Sequence, residues 1–218
     1  GTDAAFGSGP ITVLNNARIT AMGTNARTIA NPIILGNGGN NGDLRTGDAV
    51  NTGPLTFTGP VIINKADPNQ EQGVEVWAPT TFTGVIADGT NGNFFCKSAN
   101  GAGGGVDAPK LTLTASNTFT GGFKVFWGQG QVRVGNDHAL GSGPVRFHNN
   151  SGISSDGPTP RTIANPIHWG DGNGNMHLGN VTDNGLLTFS GPGVIQGDGN
   201  SDGVTFNCYS DVLFTGPL

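Results

Sequence analysis

A seven-residue phrase, RTIANPI, occurs twice in this chain, at 27–33 and again at 161–167. Around it, GSGPITVLNN at 7–16 returns as GSGPVRFHNN at 141–150, shifted by the same distance. A constant offset means that no net insertion separates the phrases. A second phrase, Phe-Thr/Ser-Gly, recurs at Phe57, Phe82, Phe119, Phe189 and Phe214. The step from Phe57 to Phe82 equals the step from Phe189 to Phe214, so these four rings form two matching pairs. The chain thus carries a super-repeat, with copy one at 1–134 and a truncated copy two at 135–218. Each copy is built of smaller turns of roughly 20–37 residues, the period range of solenoids. One such unit cannot bury its apolar face alone, so neighbours must stack.

Composition agrees with strands rather than helices. Of 218 residues, 39 are Gly and 13 Pro, and only 11% are charged. Turn formers and β-branched residues abound where helix formers are scarce, and no stretch has a capped helical period. The net charge of −5 offers no basic patch for nucleic acid and no polybasic segment for anionic lipid. No run of eighteen apolar residues exists and the first residues, GTDAAFGSGP, lack the basic start and apolar centre of a signal peptide, so no direct membrane insertion is expected. That opening aligns with GNDHALGSGP at 135–144, and the closing LFTGPL matches a phrase that elsewhere runs into another strand. The chain is expected to be an excerpt of a longer repetitive protein, its open ends covered by more of the same chain or by end-to-end self-association.

Apolar residues alternate within each phrase. Ile11 and Val13 lie on one side of PITVLNN, and Thr12 and Leu14 on the other. In copy two the first pair is Val145 and Phe147, still apolar, while the second has drifted to Arg146 and His148. Ile33 and Leu35 likewise become Ile167 and Trp169, whereas Ile34 becomes His168. Period-2 burial of one face is the signature of strands that wall an interior. The pairs Asn15–Asn16 and Asn149–Asn150 close these strands, as left-handed corners whose side chains either form a ladder along the column or stay in simple surface turns.

Residues 111–147, LTLTASNTFTGGFKVFWGQGQVRVGNDHALGSGPVRF, resemble the autotransporter-associated β-strand repeat, also called the passenger-associated transport repeat, of bacterial surface and secreted proteins. The pattern LTLxGxNTYTGGTxVxxGxLxxGxxxALGSGxV is met by Leu111, Leu113, Asn117, Phe119, Gly121, Gly122, Val125, Val132, Leu140, Gly141 and Gly143, among others. The resemblance implies an elongated right-handed parallel β-helix, an all-β solenoid, at the bacterial cell surface or in the extracellular space. The right-handed preference of parallel crossovers agrees with that hand.

Side chains that could carry chemistry are sparse. His138, His148, His168 and His177 have Ala4, Leu14, Ile34 and Asp43 as counterparts, which favours lateral packing over a repeated metal or catalytic site. Paired carboxylates of a glycosidase need a shared groove, yet only Glu71 and Glu75 are glutamates and most aspartates sit beside Gly in turns, as at Asp88, Asp171 and Asp198. Cys96 and Cys208 are separated by several coils on any count, so they are expected to pack as isolated thiols. Trp169 replaces inward-facing Leu35 and belongs to the core, whereas Trp77 and Trp127 are candidates for a carbohydrate strip.

One cation site suggests itself. Asp198, Asn200 and Asp202, followed by Gly203, match the opening of a calcium loop, and Asp67, Asn69 and Glu71 stand at nearly the same place in copy one. Tyr209 occupies the position of the closing bidentate glutamate, so the competing assignment is an Asx turn between strands. The function expected is non-enzymatic: a rigid extracellular stalk, adhesin shaft or surface fibre of a bacterium, directed at a host-cell or matrix carbohydrate or protein. Its alternatives are a filament subunit that stacks end to end, and a polysaccharide-binding or -cleaving β-helix.

Overall fold

The computed structural model describes residues 2–36, 43–64, 72–89, 95–98, 110–125, 130–148, 150–170, 174–196 and 203–218, with the backbone alone at 95–98 and 110. Among these the chain is all-β, with twenty-three short strands and no helix. The strands wind into a column of three faces. Face two holds β2 (Arg18–Ile19), β5 (Leu44–Thr46), β8 (Gln72–Val76), β11 (Phe95–Ser98), β13 (Phe123–Val125), β15 (Val145–Phe147), β18 (Ile167–Trp169) and β21 (Gly193–Ile195). Face three holds β3 (Arg27–Ile29), β6 (Leu55–Phe57), β9 (Thr80–Phe82), β12 (Lys110–Leu113), β14 (Gln131–Val134), β16 (Gly152–Ser155), β19 (Gly174–Leu178) and β22 (Val204–Cys208). Face one begins with β1 (Ile11–Val13), β4 (Ile33–Leu35), β7 (Val61–Ile63) and β10 (Ile86–Asp88), and ends with β17 (Arg161–Ile163), β20 (Leu187–Phe189) and β23 (Val212–Phe214).

Every pairing between these strands is parallel. Paired rungs can be as near in sequence as Leu111 and Val132, or as distant as Thr80 and Leu111. The β-solenoid expected from the repeat is therefore the fold, with coils that vary in the length of both strands and loops.

The interior is a set of ladders built by the alternating residues. Ile33, Val61 and Ile86 stack in register on face one, and Leu111, Val132, Ile153 and Leu178 on face three, all buried. Aromatic rings follow the rung spacing of about 4.8 Å. Phe57 stacks on Phe82 at 4.9 Å, Phe147 on Trp169 at 4.9 Å and Phe189 on Phe214 at 5.2 Å. Offset aromatic stacks contribute beyond their buried area, so each ring also fixes the register of its rung. Phe57, Phe82, Phe119 and Phe189 are fully buried, whereas Phe214, on the last rung of face one, is only partly so.

The glycine of that phrase has a separate reason. A Cβ on Gly84 would collide with the carbonyl oxygen of Gly59, and one on Gly191 with that of Asn165. At these corners successive coils touch backbone to backbone. The phrase thus encodes one ring inside and one bare corner.

The asparagine corners are left-handed, with φ of 52° at Asn15, 60° at Asn16 and 54° at Asn150. Among the described residues no corner asparagine is bonded to another. Instead Asn16 Oδ1 accepts from the backbone N–H of Asp43, one coil on, and Asp43 Oδ1 accepts from that of Gly73. Asn150 Oδ1 accepts from the N–H of Asn175 in the same way. Each corner is stapled to the next coil's main chain.

Strand by strand, β15 to β23 repeat β1 to β9 in order and at nearly constant offset. The left-handed glycines repeat too: Gly7 and Gly141 have φ of 65° and 66°, Gly36 and Gly170 of 80° and 81°. Yet the copies do not lie on the same faces. β1, β2 and β3 occupy faces one, two and three, whereas β15, β16 and β17 occupy faces two, three and one. β15 is the sixth strand of face two, so copy two is displaced by five coils and turned by one face.

Between β10 and β17 face one has no strand among the described residues. Two irregular coils bridge the gap: Thr118 N donates to Ile86 O, Ser142 N to Phe119 O, and Thr162 N to Asp137 Oδ1. Asn117 bolts the first of them, its Oδ1 accepting from Ile86 N and its Nδ2 donating to Ala139 O. Asn165 bolts the second through the carbonyls of Gly141 and Gly143, just as Asn31 holds Gly7 and Gly9. These bonds are why RTIANPI and GSGP recur together.

Candidate functional site

Asp67, Asn69, Glu71, Asp198, Asn200 and Asp202, the calcium ligands expected from sequence, lie outside the described residues, as do Trp127 and the Cys96 side chain. Among the described residues no three of His, Cys, Asp and Glu come together as metal ligands do. The four histidines are dispersed. His138 is exposed on the gap of face one, while His148, His168 and His177 are half-buried. Cys208 carries a free thiol. It does not pack as a small apolar residue: it is exposed on the last rung of face three, whereas its counterpart Val76 is buried beneath later coils.

A polar cluster does form on the outer side of face two. The register sets Arg18, Arg45 and Glu75 on successive rungs. Arg45 Nε lies 2.6 Å from Glu75 Oε2, and Trp77 Nε1 donates to Glu75 Oε1 at 2.7 Å. The Arg18 guanidinium sits 5.7 Å over the Trp77 ring. Glu75 is buried, and a buried carboxylate needs such partners. Trp77 is therefore half-buried with one face under an arginine, which leaves little of a sugar-stacking strip. Copy two rebuilds the place with other residues: the strand register pairs His177 with Asn207 as it pairs Arg45 with Glu75, so the counterpart of His177 is Arg45 and not Asp43 as the constant offset implies, and His177 stacks at 5.9 Å on Tyr209, the counterpart of Trp77. Burial holds the His177 imidazole below its ordinary pKa of 6.5.

Arg133 makes a second clamp. Its Nη2 lies 2.5 Å from Asp183 Oδ1 and 2.8 Å from Asp156 Oδ1, which ties β14 to the turns after β16 and β19. Asp183 also receives Asn180 Nδ2 at 2.7 Å. Two carboxylates held on one guanidinium brace the column; they are not poised as a free acid and base.

The gap in face one forms a groove of about 540 Å³ lined by Ser116, Thr118, Asp137, His138 and Ser142, among others. Further along face two the outward positions of β13, β15 and β18 carry Lys124, Arg146 and His168 in register. Alternation in the sequence places Arg146 and His168 outward but does not align Lys124 with them, because the strand pairing across the gap is invisible without the coil count.

No family model, curated protein or solved structure matches the chain. The family resemblance therefore rests on residues 111–147 alone.

Proposed function

We propose that this chain is a segment of a non-enzymatic structural column, a rigid stalk or adhesin shaft at a bacterial surface. The observation that carries the reading is the division of labour between the two sides of each strand. Most inner positions keep an apolar side chain between the copies, as Ile33 and Leu35 become Ile167 and Trp169, whereas several outer positions change character, as from Ile34 to His168 and from Glu75 to Asn207. What is held constant is the column, and what varies is its skin. The extracellular setting follows from the resemblance of residues 111–147. Cryo-electron microscopy of cells of the source bacterium, decorated with antibody to this chain, tests the reading: label along rods projecting from the envelope supports it, and label confined to the cytoplasm overturns it.

A further inference from the structure

We propose that the outer side of face three, over the coils of β3, β6 and β9, binds the surface of ice. This adds a ligand to the column and does not depend on where the column stands.

One stretch of the column's skin is kept rather than varied. Thr28, Thr56, Thr81 and Thr112 stand in register at the outward position of successive rungs. A second file runs beside them through Ala30, Thr58, Thr83 and Thr114, since Thr58 N donates to Ile29 O, Thr83 N to Phe57 O and Thr114 N to Phe82 O. Copy two rebuilds both files on face one, with Thr162, Thr188 and Leu213 in the first and Ala164, Ser190 and Thr215 in the second. Of these positions only Thr81 changes in kind, to Leu213. The core does not demand this constancy, because the residues between them, Ile29, Phe57 and Phe82, are the ones it buries.

The patch is uncharged and regular in two directions. At the alternate positions of 26–32, 54–60 and 79–85 its outside carries only Ala, Thr, Pro and Val, none of them buried. Charged groups stand at its borders: Asp3, whose Oδ1 accepts from Thr28 N, at one end and Arg133, in register with Thr112, at the other. The bare corners at Gly59 and Gly84 bring successive coils into backbone contact, so the files run on without a step. Among the described residues the hydroxyls of Thr56, Thr81 and Thr112 have no protein partner, although Thr112 is only 5% exposed. β-Branched side chains are stiff at χ1, which holds each hydroxyl and methyl at a fixed point of the grid. That grid measures about 4.8 Å between rungs and about 6.6 Å between files, two residues along a strand. Both lie near oxygen repeats of the ice lattice, so water held by the hydroxyls and bounded by the methyls is placed as in the crystal. A crystalline polysaccharide or a protein partner would be gripped by exposed aromatic or arginine anchors, and the outward positions of the patch hold neither.

The test is partition of the 218-residue chain into ice grown slowly from dilute solution, beside a soluble protein without affinity for ice. Enrichment of the chain in the ice over that control is expected, with faceting of single ice crystals grown in its presence. Thr58→Tyr combined with its copy-two counterpart Ser190→Tyr puts a bulky ring in each grid and should remove most of the enrichment; Thr83→Lys with Thr215→Lys should do the same. All four positions are exposed, where substitutions seldom disturb a fold, and urea unfolding midpoints verify this. Val50→Tyr, at a position 78% exposed outside the grid, should leave the enrichment unchanged. The proposal is overturned if the unaltered chain is not enriched, which needs no variant to fold, if both double variants partition as the unaltered chain does, or if Val50→Tyr loses as much as they do. Equal capture of the chain by microcrystalline cellulose or chitin would also overturn it, by making the grid a general adsorbing surface.

Discussion

Asn180 donates its side-chain amide to Asp183 Oδ2 at 2.7 Å, and at the matching turn of copy one the same bond runs the other way, from Asn51 Nδ2 to Asp48 Oδ2 at 2.9 Å. The turn around each pair is the same. Asp48 Oδ1 accepts from the N–H groups of Val50 and Asn51, and Asn180 Oδ1 from those of Thr182 and Asp183. Gly23 N then donates to Asn51 as Gly157 N does to Asp183. Aspartate and asparagine have exchanged places without altering the turn, because either side chain supplies the first acceptor and the pair needs only one amide donor between them.

That exchange can be repeated by hand. Asp48→Asn sets two amides against each other and should lower the urea unfolding midpoint. The double variant Asp48→Asn with Asn51→Asp should recover most of the loss, so the double-mutant cycle in urea shows a favourable coupling. A double variant no better than the single would mean that the pair is not the turn's organising bond.

The stacked corners give a sharper contrast. A Cβ on Gly143 would collide with the carbonyl oxygen of Thr120, while one on its counterpart Gly9 meets nothing within 4 Å. In this chain Gly143→Ala should cost about 2–4 kcal/mol in equilibrium unfolding, and Gly9→Ala less than about 0.5 kcal/mol. Similar losses for both would locate the demand for glycine in the turn itself rather than in the coil beneath.

Glu75 holds both Arg45 and Trp77. Glu75→Ala leaves a partly buried guanidinium and an indole N–H without their acceptor, and should lower stability by about 2–3 kcal/mol. Loss of the bond to Trp77 also alters that ring's surroundings, so the tryptophan fluorescence spectrum should shift. An unchanged unfolding midpoint would show the pair to be ornamental.

The His177 pKa is lowered by burial, so the folded chain takes up a proton there less readily than the unfolded chain does. Its contribution is fully present above the unfolded value near 6.5 and is lost as pH falls below that value and through the folded one. Thermal unfolding should therefore show a lower Tm at about pH 5.5 than at about pH 7.5, and His177→Asn should flatten the difference. An equal pH slope in both proteins would remove His177 from the account.

What can be recovered from the sequence depends on what carries the information. The solenoid and the inward rows are readable because they rest on local alternation and on repeats at fixed offset, as with Ile33 and Leu35 against Ile167 and Trp169. The Asn corners are legible as corners, but their bonding partner is not, since the acceptor role of Asn16 depends on Asp43 lying one coil away. Arg45, Glu75 and Trp77 meet only because one coil there runs from Arg45 to Glu75, and coil length is set by loops that the repeat does not fix. Cys208 departs from the expected burial because burial at its position comes from the coils that follow, not from the residue.

The one-face turn between the copies makes the column a screw rather than a ladder. Units of this kind placed in tandem would return to the same azimuth after every third unit, about 77 Å along the axis at about 4.8 Å per coil. Any feature of the unit then winds around the rod as a thread does. A partner approaching from any direction meets the same feature at some height, so such a rod has no back.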